Sequence, residues 1–122
     1  MVQRLFSNMT MSKKDLKLAI IGLGYFGLPL ALEFAKKRSI IGFDINKERI
    51  KELNSGIDRN LEFTKKEFQD SKQLNFTDSE ENLKSANCYI ITVPTPVDEF
   101  KKPNLNPLFM ASEMIGGIIL IL

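Results

Sequence analysis

The chain has no histidine and one cysteine, Cys88, among its 122 residues. Lack of histidine removes the commonest general base, the Ser-His and Cys-His nucleophile arrangements, and most zinc sites. No metal-ligand cluster can be assembled by spacing from what remains. A lone cysteine excludes an internal disulfide and points to no oxidising compartment. Cys88 opens an apolar run with no base near it in sequence, so it reads as a small core residue and not as a nucleophile. Excess charge is also missing: 17 basic residues stand against 15 acidic ones, a net +2 that is too balanced for a nucleic-acid footprint. Lys36, Lys37 and Arg38 do cluster, but where a helix should end and cations meet the negative end of its dipole. The apolar tail, Ile118 to Leu122, is far short of the roughly 20 residues that a membrane span needs. Residues 1–15 carry no long apolar stretch or small-residue cleavage site; they read as a loose leader, with Met9 or Met11 as alternative starts. The expected location is cytoplasmic.

With 43% hydrophobic and 26% charged residues, the chain has the balance of a soluble globular domain with a single core. Lys17 to Ile21 is a nearly continuous apolar run, as expected of a parallel strand covered on both faces. Leu30, Ala31, Phe34 and Ala35 recur at helical spacing, with Pro29 near the end of the first turn, where a missing N–H costs least. Ser39 to Phe43 reads as the second strand. Asn46 is placed to cap a helix over about Lys47 to Asn54, with Gly56 just past its end. Residues 57–63 read as a loop. Thr64 and Glu67 have capping-box spacing, and Asp78 with Glu81 repeats it for a helix through about Ala86. Leu74 to Thr77 and Cys88 to Val93 read as the third and fourth strands. Pro94, Pro96 and Pro103 force a loop before Asn106-Pro107, which opens a last helix with Leu108, Ala111, Met114 and Ile115 on one side. Strands alternating with helices predict an α/β fold, a Rossmann-type doubly wound parallel sheet in partial form over residues 16–122.

The most informative stretch is Gly22-Leu23-Gly24-Tyr25-Phe26-Gly27, which lies between the first strand and a helix. Asp44 stands 22 residues after Gly22, at the end of the second strand. Strand, glycine loop, helix, strand and terminal acid in that order make a dinucleotide-binding unit. Gly22 lets the chain turn, Gly24 lets a diphosphate approach the backbone, and Gly27 lets the helix pack close. N–H groups at the helix start, those of Tyr25 and Phe26 among them, face the phosphates. The Asp44 carboxylate can accept hydrogen bonds from the adenosine ribose. A 2′-phosphate there would meet a like charge, which costs roughly 4 kcal/mol at about 4 Å and an effective dielectric of about 20. That favours NAD over NADP. Arg49 leaves three readings open: partner of a 2′-phosphate, stacking against adenine, or a solvated helix residue. Thr92, Val93, Pro94 and Thr95 close the fourth strand, at the end where doubly wound sheets take their ligands, and can border the nicotinamide side.

Taken together, these residues resemble the N-terminal part of the UDP-glucose/GDP-mannose dehydrogenase family. The resemblance is carried by LKLAIIGLGYFGLPLALEFAKK, IIGFDINKERIKELNSGID, YIITVPTPVDEFKKPNL and PLFMASEMIG, roughly residues 16–116. SGIDRNLE and TVPTPVDEFKKPNLNP are most similar to the branch acting on UDP-N-acetylhexosamines for surface polysaccharides. The resemblance implies oxidation of a sugar C6 alcohol to a carboxylate with two NAD, through a thiohemiacetal on a cysteine of a later segment. It implies pyrophosphate contacts by Gly22, Gly24, Tyr25, Phe26 and Gly27, and adenosine contacts by Asp44 and Arg49. Thr92 to Thr95 would supply a wall. The implied partners are NAD, a UDP-sugar and, for the full-length form, further copies of itself; neither nucleic acid nor membrane is expected. The family's catalytic cysteine motif, connecting helix and sugar domain have no counterpart here, and after Gly116 a charged turn and a strand would be expected instead of the apolar tail. The chain therefore reads as a truncated or frame-disrupted product, inactive alone, in which Cys88 inherits no catalytic role. Two other readings remain: a stand-alone NAD-binding regulatory module, and a methyltransferase-type Rossmann enzyme, whose loop usually carries glycine at the position of Phe26.

Overall fold

Among the described residues four short parallel strands form the sheet, in the spatial order β3-β2-β1-β4. In the computed structural model residues 15–60, 63–71 and 73–119 are described. The strands are β1 (Leu18–Ile21), β2 (Ile40–Phe43), β3 (Leu74–Thr77) and β4 (Cys88–Ile91). The helices are α1 (Gly27–Ala35), α2 (Lys47–Asn54), α3 (Lys65–Asp70) and α4 (Asn106–Ile119), with a 3₁₀ segment at Glu80–Ser85. Strand β1 pairs on one side with β2, Leu18 opposite Ile40, and on the other with β4, Leu18 opposite Cys88. The chain order thus reverses direction between β1 and β4, which opens a crevice at their carboxyl ends.

All four residues of β1 are buried, because the strand is covered on both faces. Leu18 and Ile20 point into a core with Leu28, Ala31, Leu32 and Ala35 of α1 and with Ile50 and Leu53 of α2. Ala19 and Ile21 point the other way, to Phe43, Leu83, Ala86, Ala111 and Ile115. Period-two alternation in the strands and helical spacing in α1 and α4 supply both layers. Helix α4 seats Ala111, Met114 and Ile115 against this second core but leaves Leu108 exposed.

Local signals act largely as expected. Asn46 caps α2 through the N–H groups of Glu48 and Arg49, Gly56 turns the chain out of it at φ +72°, and Thr64 with Glu67 completes a capping box on α3. The segment after β3 departs from the expectation. It is a 3₁₀ helix that starts after Ser79 without a side-chain cap, and Asp78 plays no capping part. Instead the Thr77 hydroxyl accepts hydrogen bonds from the Ser79 N–H and the Asn82 amide. Threonine at the strand end has taken the role that the acid was expected to play, because its short side chain is already buried beside the turn. The strands are also shorter than expected: Ser39 precedes β2, and Thr92 and Val93 follow β4. Cys88 is half-buried on an outer strand, packed beside the first core rather than enclosed in it. The expected leader lies outside the described residues except for Asp15, whose carbonyl accepts a bond from the Asn87 amide. The apolar tail is described only to Ile119; Gly116 and Gly117 continue α4, with no turn at Gly116.

Tyr89 ties the 3₁₀ segment to β4, its hydroxyl lying 2.7 Å from the Leu83 carbonyl and 2.9 Å from that of Ala86. Burial raises its pKa above the ordinary 10.0. The folded state therefore holds the neutral phenol more strongly than the unfolded chain does, so this contribution is complete below about pH 10 and fades as pH rises further. Tyr89→Phe should lower stability by about 1 kcal/mol at neutral pH in urea melts and flatten the alkaline loss of stability.

Candidate dinucleotide site

The glycine loop leaves β1 at its carboxyl end, beside β4. Gly22 sits at φ +100°, a conformation that side chains disfavour, and an added Cβ would lie 2.8 Å from the Thr92 carbonyl oxygen. A Cβ on Gly27 would lie 1.7 Å from the Gly22 carbonyl oxygen and 2.5 Å from the Thr92 hydroxyl. At Gly24 the result is opposite: among the described residues nothing lies within 4 Å of where a Cβ would be. Two glycines therefore let the loop and helix α1 fold against each other, and the middle one borders open space.

Tyr25 and Phe26 are exposed, and among the described residues the N–H groups of Gly24, Tyr25 and Phe26 have no hydrogen-bond acceptor. Three free donors at the start of a helix, with no side chain between Gly24 and solvent, fit an anionic diphosphate. These amides and the helix dipole would hold it.

Asp44 follows β2 and closes the loop from the side. Its Oδ2 accepts from the Leu23 N–H at 3.0 Å and its Oδ1 from the Asn46 N–H at 2.9 Å. Each carboxylate oxygen retains a further lone pair, so the group can still accept from two ribose hydroxyls.

Arg49 is not the solvated residue that one of its three readings allowed. It is buried, with Nε donating to the Leu23 carbonyl at 3.0 Å and Nη1 to Asp58 at 2.9 Å. Asp58 is buried too; in the sequence it belonged to the SGIDRNLE stretch, read as a loop, with nothing to mark it as a partner of Arg49. Only a contact across the fold pairs it with an arginine nine positions earlier. Among the described residues, Arg49 Nη2 is buried and without a partner.

The β4 end is divided in its roles. The Thr92 hydroxyl donates to the Gly22 carbonyl at 2.8 Å, so it buttresses the glycine loop instead of standing free at the crevice. Val93 packs against the second core, while Pro94 and Thr95 are exposed. Beyond them Asp98 organises a tight turn, its carboxylate accepting from the N–H groups of Phe100 and Lys102. Among the described residues no group of potential metal ligands occurs, and no helix is long and apolar enough to cross a membrane.

Residues 16–120 match the UDP-glucose/GDP-mannose dehydrogenase family, NAD binding domain, so the similarity runs past Gly116. The chain is 53% identical over 105 residues to UDP-N-acetyl-D-glucosamine 6-dehydrogenase of Salmonella typhi, covering 86% of this chain and 25% of that protein. It is 54% identical over 106 residues to the enzyme of the same name from Pseudomonas aeruginosa, covering 87% of this chain and 25% of that one. Among solved structures, the UDP-D-ManNAc dehydrogenase of Pyrococcus horikoshii superposes with a TM-score of 0.78 at 34% identity, over 84% of this chain and 26% of that chain. The chain thus spans about a quarter of the length of the curated relatives it matches. Sheet order, glycine loop and sequence lead to one conclusion: the chain belongs to the UDP-glucose/GDP-mannose dehydrogenase family, whose NAD-binding domain it represents.

Proposed function

We propose that this chain binds NAD as the coenzyme half of a cytoplasmic dehydrogenase that oxidises C6 of a UDP-N-acetylhexosamine to the uronic acid, for surface polysaccharide. The observation that carries the coenzyme part is the trio of free N–H groups at Gly24, Tyr25 and Phe26 beside the Asp44 carboxylate. The sugar class rests on the two UDP-N-acetyl-D-glucosamine 6-dehydrogenases at 53% and 54% identity. In this reading the diphosphate lies on the Gly24, Tyr25 and Phe26 amides, with Gly22 and Gly27 shaping the loop beneath it. Asp44 takes the adenosine ribose, Arg49 supports that half from below, and Val93, Pro94 and Thr95 border the crevice. Thr92 acts through Gly22. NAD supplies the hydride acceptor; the protein residues hold and orient it. The full-length form is a homo-oligomer in the same proposal, and the free Cys88 takes no part in the chemistry.

Three outcomes follow. Gly24→Ala should leave the melting temperature almost unchanged, since its Cβ meets open space, yet weaken NAD⁺ binding by about tenfold or more in calorimetry. Gly27→Ala should instead destabilise the fold by about 3 kcal/mol, through the clash with the Gly22 carbonyl. The wild-type chain should prefer NAD⁺ to NADP⁺ by roughly tenfold or more, and Asp44→Asn, which keeps an acceptor for Leu23 but loses the charge, should narrow that gap. NADH production from UDP-N-acetylglucosamine by this chain alone would contradict the assignment of the catalytic groups elsewhere. A folded chain that takes up neither coenzyme would remove the basis of the proposal.

A further inference from the structure

The coenzyme amides are free, but the peptide that carries the first of them is not left to orient itself. Leu23 is fully buried, and both peptide units flanking it are held by side chains from after β2. Asp44 takes the N–H of the Gly22–Leu23 peptide, and Arg49 Nε holds the carbonyl of the Leu23–Gly24 peptide at 3.0 Å. The described peptide bonds are all trans. In a trans peptide the C=O and the following N–H point in opposite directions. A guanidinium that draws the Leu23 carbonyl toward the interior therefore turns the Gly24 N–H outward, and that N–H is one of the three without a partner among the described residues.

The guanidinium is itself fixed. Nη1 donates to Asp58 Oδ1 at 2.9 Å, and the two side chains are 7% and 1% exposed. Arg49 Nη2 lies on the same edge of the guanidinium as Nε, so the spare buried donor sits on the edge that bonds Leu23. A buried arginine would be costly without Asp58, and its rotamer would be free to leave the loop. Asp58 also accepts from the Asn60 N–H at 3.3 Å, which anchors it to its own turn.

We infer that Asp58 is a positioning residue for the coenzyme site: through Arg49 it orients the Leu23–Gly24 peptide so that the Gly24 N–H is presented to the diphosphate. This gives Arg49 a backbone-orienting role distinct from the support of adenine. The inference rests on the coenzyme reading above and deepens it.

The test separates phosphate from adenosine. ADP carries the diphosphate and adenosine does not, so calorimetry with each ligand on the whole chain reports the two halves independently. Asp58→Asn keeps the shape and an acceptor but removes the charge. Arg49→Lys keeps the charge but has a single nitrogen, which cannot serve Asp58 and Leu23 with the same geometry. Asp58→Asn should weaken ADP about tenfold while changing adenosine by about twofold or less, and Arg49→Lys should weaken ADP by a similar factor. The Gly24 amide resonance in nitrogen–proton correlation spectra should move in both variants before any ligand is added, and the amides of β1 and β2 should keep their exchange protection. Equal weakening of ADP and adenosine by Asp58→Asn, or a Gly24 resonance that stays in place in both variants, overturns the inference. A folded wild-type chain that binds neither ADP nor NAD⁺ is a different result, because it defeats the coenzyme reading and leaves the Gly24 resonance to judge the orientation of the peptide.

Discussion

The contact on which the rest of this structure depends is the close approach between the glycine loop and the end of β4. Gly27 stands so near the Gly22 carbonyl that no side chain could be inserted, and the Thr92 hydroxyl donates to that same carbonyl. This approach seats the first turn of α1 over the sheet. It also places the loop beside the point where strand order reverses, the one place in a parallel sheet where a crevice opens without displacing a helix.

Around that contact the site is built by dividing polar backbone groups between the interior and solvent. The groups that could turn inward are satisfied: the Gly22 N–H bonds the Phe43 carbonyl, the Leu23 N–H bonds Asp44, and the Leu23 carbonyl bonds Arg49. The groups that turn outward, at Gly24, Tyr25 and Phe26, are left for an anion. Holding them in place before binding removes part of the ordering cost that a flexible loop would carry. A buried ion pair such as Arg49–Asp58 contributes little net stability on its own, since desolvation offsets the attraction. Its value here lies in where it holds a guanidinium.

Two layers of apolar side chains make this arrangement rigid. Ile20 and Leu18 fix α1 and α2 on one face, while Ile21 and Ala19 meet Leu83 and Ile115 on the other. Strand β1 is thus clamped from both sides, and the loop that follows it inherits a fixed starting direction. β4 is an outer strand of the sheet, and Cys88 at its start remains half-buried because no further strand among the described residues covers that side.

Sequence alone determined the element order, the glycine loop, the Asn46 and Thr64 caps and the acid at Asp44. Each of these depends on spacing along the chain or on a local backbone demand, which neighbouring residues reveal. Tertiary structure decided what depends on distant segments meeting. Thr92 supports Gly22 from 70 positions away, and Arg49 goes inward to Leu23, 26 positions back, and to Asp58 rather than outward to solvent. An arginine on a helix has the same local pattern whether it is solvated or buried. What separates the two is whether a carboxylate and a carbonyl wait beneath it, and that is settled only when the loop after α2 folds back beside the end of β1.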